Sequence, residues 1–238
     1  KMLESQGVKE VPSRSSYFGI LDLAGFKKDR FYLYQSKWRP ELPMAHILPH
    51  WNWPERKGQV TPVHVYTSGD EAELFLNGKS LGKKSKGVSQ YRLRWDDVVY
   101  QPGELKVVAY RNGKVWAEDI KKTTGKAAGL SASADRNEIN SDGKDLVFIT
   151  VRVEDKNGLT VPRSNNQLNF SIEGPGKIIA TDNGDPTNHE SFQAKSRKAF
   201  NGLCLAVVAA EKGAKGKITV KCESKGLKST VTEISIDE

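Results

Sequence analysis

Short runs of alternating apolar and polar residues, separated by turn-forming residues, restrict the fold of this chain more than any other feature. They begin near Gln59 and include segments such as 105–110 and 217–224. A period of two places successive side chains on opposite faces of a strand, whereas an amphipathic helix needs a period near 3.6. Many short strands with frequent turns are typical of antiparallel β-sandwiches.

The predicted strands fall into two groups, which the small-residue segment 125–129 (Gly-Lys-Ala-Ala-Gly) divides. The first group contains Asn77-Gly78, a strong signal for a tight hairpin. We therefore predict a mainly β protein with two immunoglobulin-like antiparallel β-sandwiches in tandem, at residues 56–125 and 126–238.

Residues 1–55 have a different character, because they hold nine of the 20 aromatic residues. Segment 27–38 is predicted to be a helix, and one face of it would carry Phe31, Tyr34, Gln35 and Trp38. Four prolines at positions 40, 43, 49 and 54 predict an ordered, extended linker after the helix. We expect these aromatic side chains to pack against, or to line, something large.

Composition excludes several classes of protein. With 37% hydrophobic and 28% charged residues, the chain is neither disordered nor a coiled coil, and no apolar run approaches the length of a membrane span. The first residues contain no signal-peptide core, and the chain looks like a part of a longer protein.

The net charge of +8 comes mainly from the middle of the chain. The cluster comprises Lys79, Lys83, Lys84, Lys86, Arg92 and Arg94. A solvated hairpin face is the favoured interpretation, and a polyanion site is the alternative. Few aromatic residues lie among these cations, so we expect no nucleic-acid partner.

No catalytic motif is present in the sequence: it lacks a Gly-x-Ser-x-Gly elbow and a phosphate-binding loop. Loop 180–190 is rich in Asp and Asn and could surround a cation, but its spacing matches no calcium loop. We expect these side chains to bond turn amides, with Arg197 paired to Asp182 or Asp185. No metal and no cofactor are predicted.

Cys204 and Cys222 lie in two predicted strands on either side of segment 211–216, which looks like a hairpin loop. The two would then lie nearly opposite each other. A cross-strand disulfide is one interpretation, and two buried thiols packed as small hydrophobic residues is the favoured one.

The sharpest binding candidate is the segment His50-Trp51-Asn52-Trp53. Indole rings pack against the apolar faces of sugars, and His or Asn can bond the hydroxyl groups. The competing interpretation is that the two indoles fill an interdomain seam.

Four segments together resemble a known family. Residues 12–29 (Pro-Ser-Arg-Ser-Ser-Tyr-Phe-Gly-Ile-Leu-Asp-Leu-Ala-Gly-Phe-Lys-Lys-Asp) resemble the end of the catalytic (β/α)₈ barrel of glycoside hydrolase family 2 β-galactosidases of the Bacteroides type. The helix at 29–38 and the segment 48–53 resemble the last barrel helix and the chain that leaves the barrel. The remaining two, 66–82 and the pair 182–185 with 197–202, resemble the immunoglobulin-like and invasin-type domains that follow.

The resemblance implies a domain organisation. Residues 1–55 would be the C-terminal remnant of the barrel and its linker, 56–125 an immunoglobulin-like sandwich, and 126–238 a bacterial immunoglobulin-like (invasin-type) sandwich. The parent would be a retaining β-galactosidase that hydrolyses terminal β-galactosides, located in the periplasm or outside the cell.

The resemblance also implies a role. Both catalytic Glu residues of the family lie upstream, so this chain alone is expected to be inactive. It would buttress its own upstream barrel and contribute His50, Trp51 and Trp53 to the rim of the substrate pocket, contacting carbohydrate through the parent. The alternatives are a carbohydrate-binding module, with candidate rings Tyr91, Trp95, Tyr100, Tyr110 and Trp116, or an adhesin-like surface spacer.

Overall fold

The computed structural model describes residues 13–237, which form 16 β-strands, one α-helix and a short 3-10 turn at Pro54–Arg56. They divide into two compact units: residues 27–124, here the first unit, and residues 13–26 with 125–237, here the second unit. The predicted mainly β class is confirmed. The described helix, Asp29–Trp38 (α1), has ten residues, and no helix in residues 13–237 has the length and apolarity to cross a membrane.

The first unit is a two-sheet sandwich around one core. One sheet has the order β1-β2-β5 and the other β4-β3-β6-β7. The strands are β1 (Ala45–Leu48), β2 (Val63–Thr67), β3 (Glu71–Leu76), β4 (Lys79–Ser85), β5 (Leu93–Trp95), β6 (Glu104–Arg111) and β7 (Lys114–Lys122). Alternate residues of both sheets meet in the core, such as Val65 from the first and Leu74 from the second. The period-two pattern therefore identified the buried faces.

Strand β1 lies where the sequence predicts a linker. It pairs antiparallel with β2, with Ile47 opposite Val65, and ends at a cis Leu48-Pro49 bond. The predicted boundary after residue 55 thus falls inside the first unit, because β1 and β2 are neighbouring strands of one sheet. A four-residue strand flanked by prolines carries too little periodicity to be recognised locally.

Helix α1 forms over the predicted residues, but a different face of it packs. Ser36 is buried and the Tyr32 ring stacks on His46 at 3.8 Å between centroids. Tyr34 and Trp38, from the predicted apolar face, are 37% and 70% exposed, and their rings contact each other at 4.7 Å. Spacing shows which side chains share a helix face, but it does not show what covers that face.

The second unit is a larger two-sheet sandwich, with sheets β12-β14-β10-β8 and β13-β11-β15-β16-β9. Its strands are β8 (Ala127–Ala134), β9 (Glu138–Asn140), β10 (Val147–Asp155), β11 (Gln167–Glu173), β12 (Gly176–Asp182), β13 (Ser196–Lys198), β14 (Leu203–Ala210), β15 (Gly216–Glu223) and β16 (Thr230–Asp237). Among the described strands, β9 and β16 pair in parallel and every other ladder is antiparallel. The immunoglobulin-like topology of the two sandwiches stays a prediction.

Strand β14 is apolar on both faces, which explains its unbroken hydrophobic run. Its residues 204, 206 and 208 point into the sandwich core. Leu205 and Val207 point the other way and are covered by Ala24 and Phe26. Segment 13–26 therefore covers the outside of this sheet, and a strand buried on both faces loses the usual alternation.

The predicted hairpin at 211–216 is wrong, because β14 and β15 belong to different sheets. The connection crosses from one sheet of the sandwich to the other. Cys204 and Cys222 consequently lie on opposite sides of the same core, and both are free and buried. The interpretation as two packed thiols is confirmed.

Candidate functional site

The structure separates the three predicted sugar-contacting residues. Trp51 is 1% exposed and packs in the core of the first unit against Tyr100, with ring centroids 4.8 Å apart. Its indole Nε1–H donates to the Gln101 carbonyl at 2.9 Å. A ring in this position has no free face for a sugar, so Trp51 is a core residue here, and sugar contact stays a prediction for His50 and Trp53.

His50 and Trp53 form a pair of half-buried, nearly parallel rings, 4.3 Å apart between centroids. The indole Nε1–H of Trp53 donates to the His50 carbonyl at 2.7 Å, and its backbone N–H donates to the Tyr100 hydroxyl at 3.1 Å. The pair is thus held rigidly on the core. A fixed, flat ring surface suits stacking against an apolar sugar face, because little side-chain entropy is lost on binding.

Asn52 fixes the turn between these rings. Its backbone N–H donates to Nδ1 of His50 at 3.2 Å, and its side chain exchanges two hydrogen bonds with Thr124, at 2.7 and 2.9 Å. Since Nδ1 accepts a hydrogen bond, the neutral imidazole carries its proton on Nε2. This tautomer places a hydrogen-bond donor, the Nε2–H of His50, beside the aromatic ring of Trp53.

A second cluster in the first unit was missed by sequence reasoning. His46 Nε2 lies 2.7 Å from Asp29 Oδ1, and Nδ1 lies 4.0 Å from Asp119 Oδ2. Asp119 also accepts the backbone N–H of Ile47 at 2.7 Å. Burial, assisted by the two carboxylates, raises the pKa of Tyr32, which stacks on His46.

These contacts join the first residue of α1 to β1 and β7. The cluster therefore fixes the position of the helix, and no sequence spacing links residues 29, 46 and 119. Only the tertiary fold brings the three together.

The basic cluster on and after β4 is exposed along almost the whole strand, as the hairpin-face interpretation predicts. Lys83 is paired with Glu71 at 2.9 Å and lies over the Tyr110 ring. Lys84 donates to the Arg94 carbonyl at 2.6 Å. Much of this charge is therefore bonded within the sandwich.

The candidate rings for a carbohydrate-binding platform do not form an open surface in the first unit. Trp95 and Tyr100 are buried, at 1% and 0% exposure. Lys83 lies over Tyr110 and Arg111 lies over Trp116, 4.8 Å from the ring centroid. Only Tyr91 is well exposed, which leaves a single ring where a platform needs several.

Loop 180–190 is organised by an internal cation. Arg197 is 0% exposed and donates to the carbonyls of Thr181 and Ser191, at 2.9 and 2.6 Å. Its carboxylate partner is Glu190, 3.6 Å away, so the predicted pairing with Asp182 or Asp185 is wrong.

Asp182 and Asp185 instead accept turn amides, Asp182 from Asn183 at 2.7 Å and Asp185 from Thr187 at 2.8 Å. This confirms the turn-amide interpretation of the loop. Within residues 13–237, no three His, Cys, Asp or Glu side chains group as metal ligands would.

The two cysteines are poor nucleophiles. Burial raises the pKa of Cys222 to about 12, and burial together with the neighbouring Cys222 raises the pKa of Cys204 well above its usual range. A thiolate is the reactive form, so neither thiol suits covalent catalysis near neutral pH.

Two family models and several curated proteins match this chain. Residues 130–233 match the family model described as glycoside hydrolase family 2 C-terminal domain 5, and residues 58–117 match a domain of unknown function, DUF4982. The β-galactosidase BoGH2A of Bacteroides ovatus is 44% identical over 227 residues, which is 95% of this chain and 26% of that protein. A putative β-glucuronidase of Formosa agariphila is 40% identical over 187 residues, 78% of this chain and 18% of that protein.

Solved structures agree in fold. A β-glycosidase from Bacteroides vulgatus superimposes with a TM-score of 0.89 at 32% identity, covering 94% of this chain and 28% of its own length. A glycosyl hydrolase family 2 member from Bacteroides cellulosilyticus gives a TM-score of 0.86 at 34% identity, covering 92% and 32%. The chain therefore spans about a fifth to a third of the length of these four proteins.

Proposed function

We propose that this chain, which belongs to glycoside hydrolase family 2 as part of its C-terminal region, is a non-catalytic buttress of an enzyme that hydrolyses β-galactosides. The relatives are β-galactosidases and β-glucuronidases several times longer than this chain. Family 2 hydrolysis needs two carboxyl groups facing one sugar. The prominent carboxylates of the two sandwiches serve other purposes, such as the Glu71 ion pair and the Asp182 turn.

The exposed aromatic face of α1 carries this proposal. Tyr34 and Trp38 contact each other and remain 37% and 70% exposed, although the helix is fixed by the Asp29–His46 bond and the Tyr32 stack. A rigid helix that presents an uncovered indole is suited to packing against another part of the protein. At about 25 cal/mol per Å² of apolar area, covering these two rings contributes several kcal/mol before ordering costs.

The occupant we propose for this face is the catalytic barrel that the family resemblance implies for the parent protein. In that arrangement His50 and Trp53 would belong to the rim of the substrate pocket. The preference for galactosides is taken from the B. ovatus relative, which is 44% identical. We place the enzyme in the periplasm or outside the cell on the basis of the family resemblance.

A chimaera tests the proposal. The homologous region of BoGH2A is replaced by this chain, and hydrolysis of a p-nitrophenyl β-galactoside and the thermal midpoint are measured. We expect an active, stable chimaera, and we expect Tyr34→Ala with Trp38→Ala to lower its thermal midpoint. Val115→Ala with Val231→Ala, two exposed apolar residues on the sandwiches, is the matched control.

Two results would contradict the buttress. One is a chimaera in which the Tyr34 and Trp38 variant is as stable and as active as the control. The other is hydrolysis by the 238-residue chain alone that is lost when one of its own carboxylates is changed. Binding of neutral galactan by the chain alone would favour the carbohydrate-binding module instead.

A further inference from the structure

Three cations from distant parts of the sequence converge in the first unit. Lys37 lies in the last turn of α1, Lys86 follows β4, and Arg111 ends β6. Each donates to a backbone carbonyl: Lys37 Nζ to Gln90 at 3.3 Å, Lys86 Nζ to Thr67 at 2.9 Å, and Arg111 Nη1 to Pro40 at 2.7 Å.

A hydrogen-bond network holds these segments together. Asp70 is its centre: its carbonyl accepts the backbone N–H of Lys86 at 2.8 Å, and its carboxylate accepts that of Asn112 at 2.9 Å. Beside it, the Trp116 indole donates to Ser68 Oγ at 2.8 Å, and Ser68 Oγ donates to the Leu42 carbonyl at 2.6 Å. The three cationic groups are therefore positioned by the fold rather than loosely extended.

The positive charge at this place is only partly compensated, by the Asp70 carboxylate. Within residues 13–237, none of the three cations lies within 4.0 Å of a carboxylate oxygen. Burial lowers the pKa of Lys86, repulsion from Lys37 and Arg111 lowers it further, and the Asp70 carboxylate opposes them. Three cations against one carboxylate leave a net positive charge in a partly buried position, where charges are weakly screened.

We propose that Lys37, Lys86 and Arg111 form a binding site for the carboxylate of an acidic sugar, such as a uronate in a polysaccharide. The carbonyl contacts hold the donor groups in place. An arriving carboxylate therefore meets a preformed set of donors, and less side-chain entropy is lost on binding. Among the other cations of the hairpin face, Lys83 and Arg94 are already paired with Glu71 and Asp96, which makes them poorer partners for a row of nucleic-acid phosphates. The choice of a sugar as the bearer of the carboxylate rests on the proposed function.

The test uses the 238-residue chain and three probes. Isothermal titration calorimetry compares trigalacturonate, neutral galactotriose and a 20-base-pair DNA duplex at low and at high salt. We expect trigalacturonate to bind at low salt, to weaken as salt rises, and to be preferred over both other probes.

The variant Lys37→Gln, Lys86→Gln, Arg111→Gln should weaken trigalacturonate binding about tenfold or more, since three charge contacts are lost. The control Lys57→Gln, Lys79→Gln, Lys122→Gln removes the same net charge from exposed positions elsewhere in the first unit and should change binding little. An unchanged far-ultraviolet circular dichroism spectrum would show that both variants are folded; tryptophan fluorescence is unsuitable here because Arg111 lies over the Trp116 ring.

Three outcomes would overturn the site: no binding of trigalacturonate, an equal loss in the control variant, or tighter binding of DNA than of the sugar. The last would assign the patch to nucleic acid. None of them bears on the chimaera experiment, so failure of this site and failure of the buttress are distinguishable.

Discussion

The cores of the two sandwiches are built differently. The first unit fills its interior with a few large rings, Trp51, Trp95 and Tyr100, all nearly inaccessible. The second unit uses many small aliphatic side chains, one buried Phe and two thiols. The rings bring polar atoms into the core, and each of these atoms must find a partner there.

Those partners connect the first core to its irregular segments. Trp51 and Trp95 donate to the carbonyls of Gln101 and Gly82, at 2.9 and 3.3 Å, and the Tyr100 hydroxyl accepts from Trp53. In the second unit the largest buried polar side chain, Arg197, lies at a loop and bonds the loop's carbonyls. In the first unit the polar atoms of the core rings thus bond the nearby loops directly. In the second unit the core side chains are aliphatic, and loop 180–190 is held by the buried Arg197 guanidinium instead.

Removing a ring from the first core should have the largest effect. We expect Trp51→Ala to destabilise the first unit by about 3–5 kcal/mol, through the lost burial and the cavity left behind. All five Trp residues lie in the first unit, so urea unfolding followed by tryptophan fluorescence reports on it alone. Phe170→Ala in the second core is the control. An equal shift of the fluorescence transition by that variant would show that the two cores are not independent.

The loop of the second unit should depend strongly on Arg197. Arg197→Met keeps much of the volume but leaves the Thr181 and Ser191 carbonyls without their donor, at a cost of about 2–3 kcal/mol. Denaturation followed by far-ultraviolet circular dichroism measures this. Glu190→Gln should cost much less, because Glu190 is 51% exposed; equal losses in both variants would show that the ion pair, not the carbonyl contacts, holds the loop.

The second unit should also show a carboxylate-dependent loss of stability in acid. Burial acts to raise the pKa of Asp155, but N–H donors from Gly125, Leu159 and Asn157 outweigh it and hold the pKa below the usual value. Because the folded pKa is the lower one, the carboxylate stabilises the unit above about pH 4 and loses this effect as the pH falls further.

Asp155→Asn should therefore cost roughly 1–3 kcal/mol at pH 7, and the difference from the unchanged chain should shrink near pH 3. Unfolding midpoints at the two pH values measure it. Glu211→Gln, at an exposed carboxylate of the same unit, is the control and should change the midpoint little at either pH. A difference that is as large at pH 3 as at pH 7 would rule out the charge as its cause.

The smallest effect is expected on the exposed helix face. Trp38→Ala in the isolated chain should change the stability of the first unit by less than about 0.5 kcal/mol, since the ring is 70% exposed. The same change in the chimaera should matter more. A large loss in the isolated chain would mean that this face already has a partner in the sandwich.

Local sequence determined the helix α1, most of the strands and turns such as Asn77-Gly78, because period and turn chemistry act over a few neighbouring residues. It also indicated β14, whose unbroken apolar run, Leu203–Ala210, reflects burial on both faces. The family resemblance came from the order of several motifs along the chain. The candidate pair His50 and Trp53 was identified by residue type alone.

Tertiary structure decided the rest. It made a strand of 45–48, placed Trp51 in the core, sent β14 and β15 to different sheets, and gave Arg197 the partner Glu190. It also brought residues 29, 46 and 119 together. Each of these depends on contacts between residues far apart in the chain. Such contacts are selected by the packing free energy of the whole unit, so no short stretch of sequence contains them.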